Sequence, residues 1–208
     1  MISARDALTR LEEGNRRFVA DEPGRAAHVS REERNALAAG QKPFAIVLGC
    51  SDSRAPAELI FDQGLGELFV IRVAGNIVAP SLIGSVEFAA SQFGTRLVVV
   101  LGHSRCGAVG ATIDQLMTPS DLQSPNLQSI VDQVRPAVAP LLETELKNDP
   151  PALMAEAVRA NVRASQRELR HGSPIIEELI EKEGLRIVGA EYSLETGVVD
   201  FFDVADLD

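Results

Sequence analysis

The residues best suited to chemistry fall in two short runs, Cys50-Ser51-Asp52-Ser53-Arg54 and Gly102-His103-Ser104-Arg105-Cys106-Gly107. Two thiolates and one imidazole are soft-to-borderline donors that suit Zn²⁺, and the three ligands Cys50, His103 and Cys106 leave a fourth position open. An open position is what a catalytic zinc needs, whereas a closed structural site would want a fourth Cys or His. The chain has only two cysteines, and its other histidines, His28 and His171, lie in polar stretches far from either run. Asp52 stands close enough to Cys50 to accept a hydrogen bond from a metal-held hydroxide or, in another rotamer, to become a fourth ligand in a closed state. Arg54 has the planar fork suited to holding that carboxylate. Each half has a plainer meaning when taken alone: a lone Cys is often a small core hydrophobe, and an Asp–Arg pair an ordinary surface salt bridge. The joint pattern points to a catalytic zinc, and a thiol redox role would want C-x-x-C spacing, which is missing.

Both runs must be positioned by what precedes them. Phe44–Gly49 and Leu97–Leu101 are short apolar segments bounded by turn residues, and they read as buried β-strands. Their carboxyl ends are where open α/β sheets bind ligands. Apolar residues at Ala4, Leu8, Leu11 and Phe18 recur at helical spacing from Ser3 to Val19, and Ser30 with Glu33 forms a capping-box pattern for a second helix ending near Gly40. A short helix from Pro56, a strand over 68–73, a helix from Pro80 to Gly94 and another over 107–117 follow. A turn-rich stretch over 118–126 leads to a helix reaching Lys147, a long one from Asp149 to His171, and a short one to Glu183. The segments 185–192 and 198–202 read as a closing hairpin. The pattern predicts an α/β fold: a central, mainly parallel β-sheet flanked by helices, with a C-terminal strand hairpin and an N-terminal helical arm. One domain spans 1–208, with the arm over 1–40 and the α/β core over 41–208, and the first helix is expected to reach out and pack on a partner subunit.

Composition narrows the partners. The 208 residues are 45% hydrophobic, as in ordinary globular proteins. A formal net charge of -10 is a poor footprint for phosphate backbones or anionic lipid, so neither nucleic acid nor membrane is an expected partner. No signal peptide or membrane-spanning run is evident, which predicts a cytoplasmic location and favours metal ligation of the two cysteines over a disulfide.

The two runs resemble the CxDxR and HxxC motifs of the β-class carbonic anhydrases, here CSDSR and GHSRC. The likeness continues through Pro56-Ala57-Glu58, 66–72, Ala74-Gly75-Asn76 and Gly107-Ala108. The resemblance implies one Zn²⁺ per chain and reversible hydration of CO₂ to bicarbonate and a proton, by attack of zinc-bound hydroxide, with Asp52 and Arg54 as catalytic residues. Relatives that hydrolyse carbonyl sulfide or carbon disulfide keep a similar site, and a non-catalytic zinc module is the alternative of another class. By carry-over from the plant-like subgroup, Gln41 and the Gly107 amide contact substrate, while Phe69, Ala74 and Phe88 line the pocket. The pocket is implied to be shared between two subunits of a homodimer or dimer of dimers. Members inhibited by bicarbonate at a second site carry a Trp where this chain has Val47. Arg72 and Tyr192, the counterparts of that site's other residues, are therefore expected to be an ion-pairing strand residue and a half-buried aromatic.

Overall fold

The direction of strand addition reverses at the first strand of the sheet. In the computed structural model, which describes residues 2–22, 24, 29–119 and 124–204, β1 (Ala45–Gly49) is flanked by β2 (Leu68–Arg72) on one side and β3 (Leu97–His103) on the other. His28 and residues 120–123 of the turn-rich stretch lie outside the described residues. β4 (Arg186–Tyr192) pairs parallel with β3, and β5 (Val199–Phe202) pairs antiparallel with β4, giving the order β2-β1-β3-β4-β5. The chain runs outward from β1 to β2 and then crosses back to β3. The carboxyl ends of β1 and β3 consequently open a crevice at the switch in strand order. Gly49 pairs with Leu101, which sets Cys50 beside the last residues of β3.

Every residue of β1 and β3 is buried, as expected of strands covered on both faces. Val47, Val99, Leu101, Val188 and Ala190 face α1 (Ala4–Val19) and α3 (Ala57–Ile60). Ile46, Leu48, Val98, Val100 and Ile187 face a layer built from α4 (Pro80–Gln92), α7 (Pro150–His171) and α8 (Pro174–Glu183). Above the crevice, α5 (Gly107–Met117), α6 (Pro125–Val138) and α7 surround the cysteines with Val109, Ile113, Val134, Leu153 and Val158.

Three expectations need correction or extension. The apolar stripe of α1 does not await a partner: Ala4, Ala7, Leu8 and Leu11 are buried in this chain's own core, against a sheet face that the four-residue α3 cannot cover. Burying Leu8 and Leu11 contributes about 1.5–3 kcal/mol each. The buried Asn15 fixes the helix further, donating to the Ile60 and Gly197 carbonyls and accepting from the Val199 amide. The helix expected to reach Lys147 ends at Val138 and continues as 3₁₀ turns over Ala139–Glu143 and Glu145–Asn148, since Pro140 has no N–H to continue the ladder. β3 runs two residues past Leu101 and so includes His103. The Ser30–Glu33 capping box is present on α2 (Arg31–Leu37), none of whose residues is buried.

Candidate metal centre

Cys50 follows β1, His103 ends β3, and Cys106 is the N-cap of α5. All three are buried, and their ligand atoms lie within 4.8 Å of one another. The Cys106 sulfur thus sits at the positive end of the α5 dipole, where a thiolate is favoured. His103 Nδ1 lies 2.9 Å from the Ser104 carbonyl, so it carries the proton and leaves the Nε2 lone pair for the site. Nε2 is buried without a hydrogen-bond partner. A buried nitrogen left unpaired beside two sulfurs fits a bound cation.

The sulfurs support the same conclusion. The neighbouring Cys106 thiol holds the Cys50 pKa well below the usual thiol range despite burial, while Cys50 and burial push that of Cys106 up. Two thiols this close share one proton unless a cation compensates both charges. Cys50 Sγ also accepts from the Gly75 amide at 3.3 Å. Gly75 has φ 71°, within a 3₁₀ turn over Ala74–Asn76, and that left-handed backbone favours glycine.

Asp52 is oriented by its neighbour. Its Oδ1 accepts from the Arg54 amide and Nε, both at 2.9 Å, and its Oδ2 accepts from Nη2 at 2.8 Å. The Arg54 guanidinium therefore holds this carboxyl well below the usual carboxylate range. Oδ2 stands 3.8 Å from His103 Nε2, facing the site while engaged on Arg54.

Other residues fall into two groups. Ala74 borders Gly75, and Gly107 opens α5 beside Cys106 with open space where a side chain would stand. Gln41 instead precedes β1, at the opposite end of that strand from Cys50, in a groove of about 930 Å³ lined by α2 and residues 64–67. Phe69 lies in β2 level with Ile46 and packs at a tilt against Phe88 and Phe93, with ring centroids 6.2 and 6.1 Å away; Phe88 is 51% exposed. Within one chain these three are not brought to the cysteines.

Arg72 grips backbone carbonyls where an ion pair was expected. Its Nε donates to the Cys50 carbonyl at 3.0 Å and its Nη2 to the Asp52 carbonyl at 2.6 Å, clamping the loop that carries both. Tyr192 is fully buried rather than half-buried, opposite His103 in β4, and burial pushes its phenol up. Glu195 was not anticipated. It accepts from Ser104 Oγ at 2.8 Å and pairs with Arg105 at 2.7 Å, tying the second loop to the β4–β5 turn. Neither clamp has a local sequence signal, since each spans two distant elements.

A family model described as carbonic anhydrase matches residues 45–199. Carbonic anhydrase 2 of Mycobacterium tuberculosis is 41% identical over 189 residues, covering 90% of this chain and 87% of that protein. The carbonic anhydrase of Mycolicibacterium smegmatis is 38% identical over 192 residues, covering 91% and 89%. One of two tetrameric β-carbonic anhydrases from the filamentous ascomycete Sordaria macrospora superposes with a TM-score of 0.72 at 26% identity, covering 82% of this chain and 85% of that one. A match over residues 45–199, relatives at this identity along nine tenths of the chain, and a shared fold make this protein a member of the β-class carbonic anhydrase family.

Proposed function

We propose that Asp52 and Arg54 are the catalytic pair of this zinc-dependent carbonic anhydrase, which reversibly hydrates carbon dioxide to bicarbonate and a proton, with Asp52 accepting a hydrogen bond from the reacting water or hydroxide and Arg54 holding the carboxylate. The observation that carries the reading is the buried Cys50–His103–Cys106 set with an ionised carboxylate beside it. Zinc, when bound, supplies Lewis acidity that makes water a nucleophile near neutral pH. The chain's own residues orient the reacting water. An ionised carboxylate can only accept hydrogen bonds, so Asp52 constrains a reacting water to present an O–H to it. Arg54 holds both carboxylate oxygens and keeps that acceptor in one rotamer. For Asp52 to serve as a fourth metal ligand, this fork would have to open.

Ala74 and the Gly107 amide are offered to substrate by the same chain that holds the ligands. Gln41, Phe69 and Phe88 are proposed to come from a second copy, because β1 alone separates Gln41 from Cys50 by about 15 Å. A homodimer or dimer of dimers follows from this reading, and the tetrameric relative supports an oligomer. The single domain 1–208 and a cytoplasmic location complete it, and no helix among the described residues is long and apolar enough to cross a membrane. Bicarbonate is proposed to act as a simple product inhibitor: the Arg72 guanidinium is committed to two loop carbonyls, and Val47 offers no donor. Stopped-flow CO₂ hydration by zinc-quantified protein tests the function. Stoichiometric zinc without hydration would overturn it.

A further inference from the structure

The buried stripe of α7 contains two polar residues among its apolar ones. Leu153, Ala157, Val158, Val162 and Leu169 share it with Asn161, 2% exposed, and Ser165, 5% exposed. Polar groups so deep are costly unless hydrogen-bonded. Standing one helical turn apart, the two grip consecutive carbonyls of one turn: Asn161 Nδ2 donates to Gly75 O at 2.7 Å and Ser165 Oγ to Asn76 O at 2.9 Å.

That turn is an unfavourable one to hold. Gly75 at φ 71° is followed by Asn76 at φ 43°, and left-handed backbone at a non-glycine residue persists only where its surroundings enforce it. It lies between the segments of both cysteines. Its Gly75 N–H meets Cys50 Sγ, and a Cβ on Gly75 would come within 3.0 Å of the Ala108 side chain, two residues past Cys106.

We propose that Asn161, aided by Ser165, is a positioning residue for the metal centre: it holds the 74–76 turn so that the Gly75 N–H meets Cys50 Sγ and sets how much charge that sulfur donates. Outer hydrogen bonds of this kind orient ligands and tune their basicity. An N–H on a thiolate withdraws charge from it, so losing that contact makes the sulfur a stronger but less well placed donor. The inference rests on Cys50 being a metal ligand.

The test uses full-length protein, loaded with zinc or substituted with cobalt(II), carrying Asn161→Ala, Asn161→Asp, Ser165→Ala or Ser165→Thr. Asp keeps the shape of Asn but loses the donating amide, and Thr keeps the hydroxyl that Ala removes. Both Asn161 variants are expected to bind zinc about 10–100-fold more weakly in competition with a chromophoric chelator. Their thiolate-to-cobalt charge-transfer band should move to longer wavelength. Ser165→Ala should shift both in the same direction by less, and Ser165→Thr should restore the parent values. Should the Asn161 variants not fold, the Ser165 pair reads the same question. Variants that melt earlier yet keep the parent band and zinc affinity would overturn the positioning role and leave a packing role. A parent protein lacking any thiolate band would overturn the Cys50 assignment, and the inference with it.

Discussion

The loop after β1 and the loop after β3 leave neighbouring strand ends, yet groups of opposite charge hold them. Arg72, reaching over from β2, donates to the Cys50 and Asp52 carbonyls, and Ser51 N–H adds a bond to the Val73 carbonyl. The second loop is held from the other side of the sheet: Ser104 N–H donates to the Tyr192 carbonyl, the Leu194 amide donates to Ser104 Oγ, and Glu195 takes Ser104 Oγ and Arg105. The burdens differ as well. The first loop carries one ligand and the Asp52–Arg54 pair, while the second starts from one ligand, His103 at the end of β3, reaches another, Cys106, three positions on, and bends through Arg105 at φ 54°. The first thus holds the proposed catalytic pair under a cationic clamp. The second holds two of the metal-ligand candidates, and its outermost brace is a carboxylate.

Cys106→Ala should break the comparison most completely. Removing one ligand from the metal-holding loop should abolish stoichiometric zinc and CO₂ hydration together, as read by metal analysis and stopped flow; zinc retained at the parent level would remove Cys106 from the ligand set. Asp52→Asn separates orientation from holding. Zinc should stay while hydration falls ~10²–10⁴-fold, because the amide copies the shape of the carboxylate but offers only one acceptor oxygen. Near-parent turnover would strip Asp52 of its role.

Arg72→Met sharpens the account of the first loop. Loss of both carbonyl contacts should lower hydration ~10–100-fold, and Arg72→Lys should recover only part of it, since an ammonium cannot fork to two acceptors in the same way. Full recovery by lysine would mean that charge, and not geometry, matters there.

Glu195→Gln should have the smallest effect, since exposed ion pairs contribute little. Its distinguishing property is pH. The Ser104 hydroxyl, and less strongly Arg105, lower the Glu195 pKa in the folded chain. Its contribution to stability is thus complete above the unfolded value of about 4.3 and is lost as pH falls through the lower folded value. A ¹³C-detected titration of this carboxyl should give a midpoint below that of an ordinary glutamate. A midpoint at or above the ordinary value would leave the second loop without its proposed brace.

Residue chemistry and periodicity made much of this protein readable from sequence. Cys50, His103 and Cys106 stood out as soft donors just past buried-strand runs, and Asp52 with Arg54 as a carboxylate and a fork two residues apart; both features are local, so spacing exposes them. Alternating strands and helices likewise gave the parallel sheet and its closing hairpin, because short apolar runs bounded by turn residues and the 3.6-residue spacing of helices are local signals. Strand order was another matter. That β1 lies between β2 and β3, bringing Cys50 to His103, depends on which apolar faces meet, and no segment encodes its neighbour alone. The same holds for α1, whose stripe announced burial and was expected to pack on a partner subunit, but which closes on its own sheet because α3 is too short to cover it. Arg72, Asn161 and Glu195 lay beyond the reach of sequence for a related reason. Each donates to or accepts from groups on elements distant in the chain, and where a polar side chain finds its partner is decided only when packing fixes its direction.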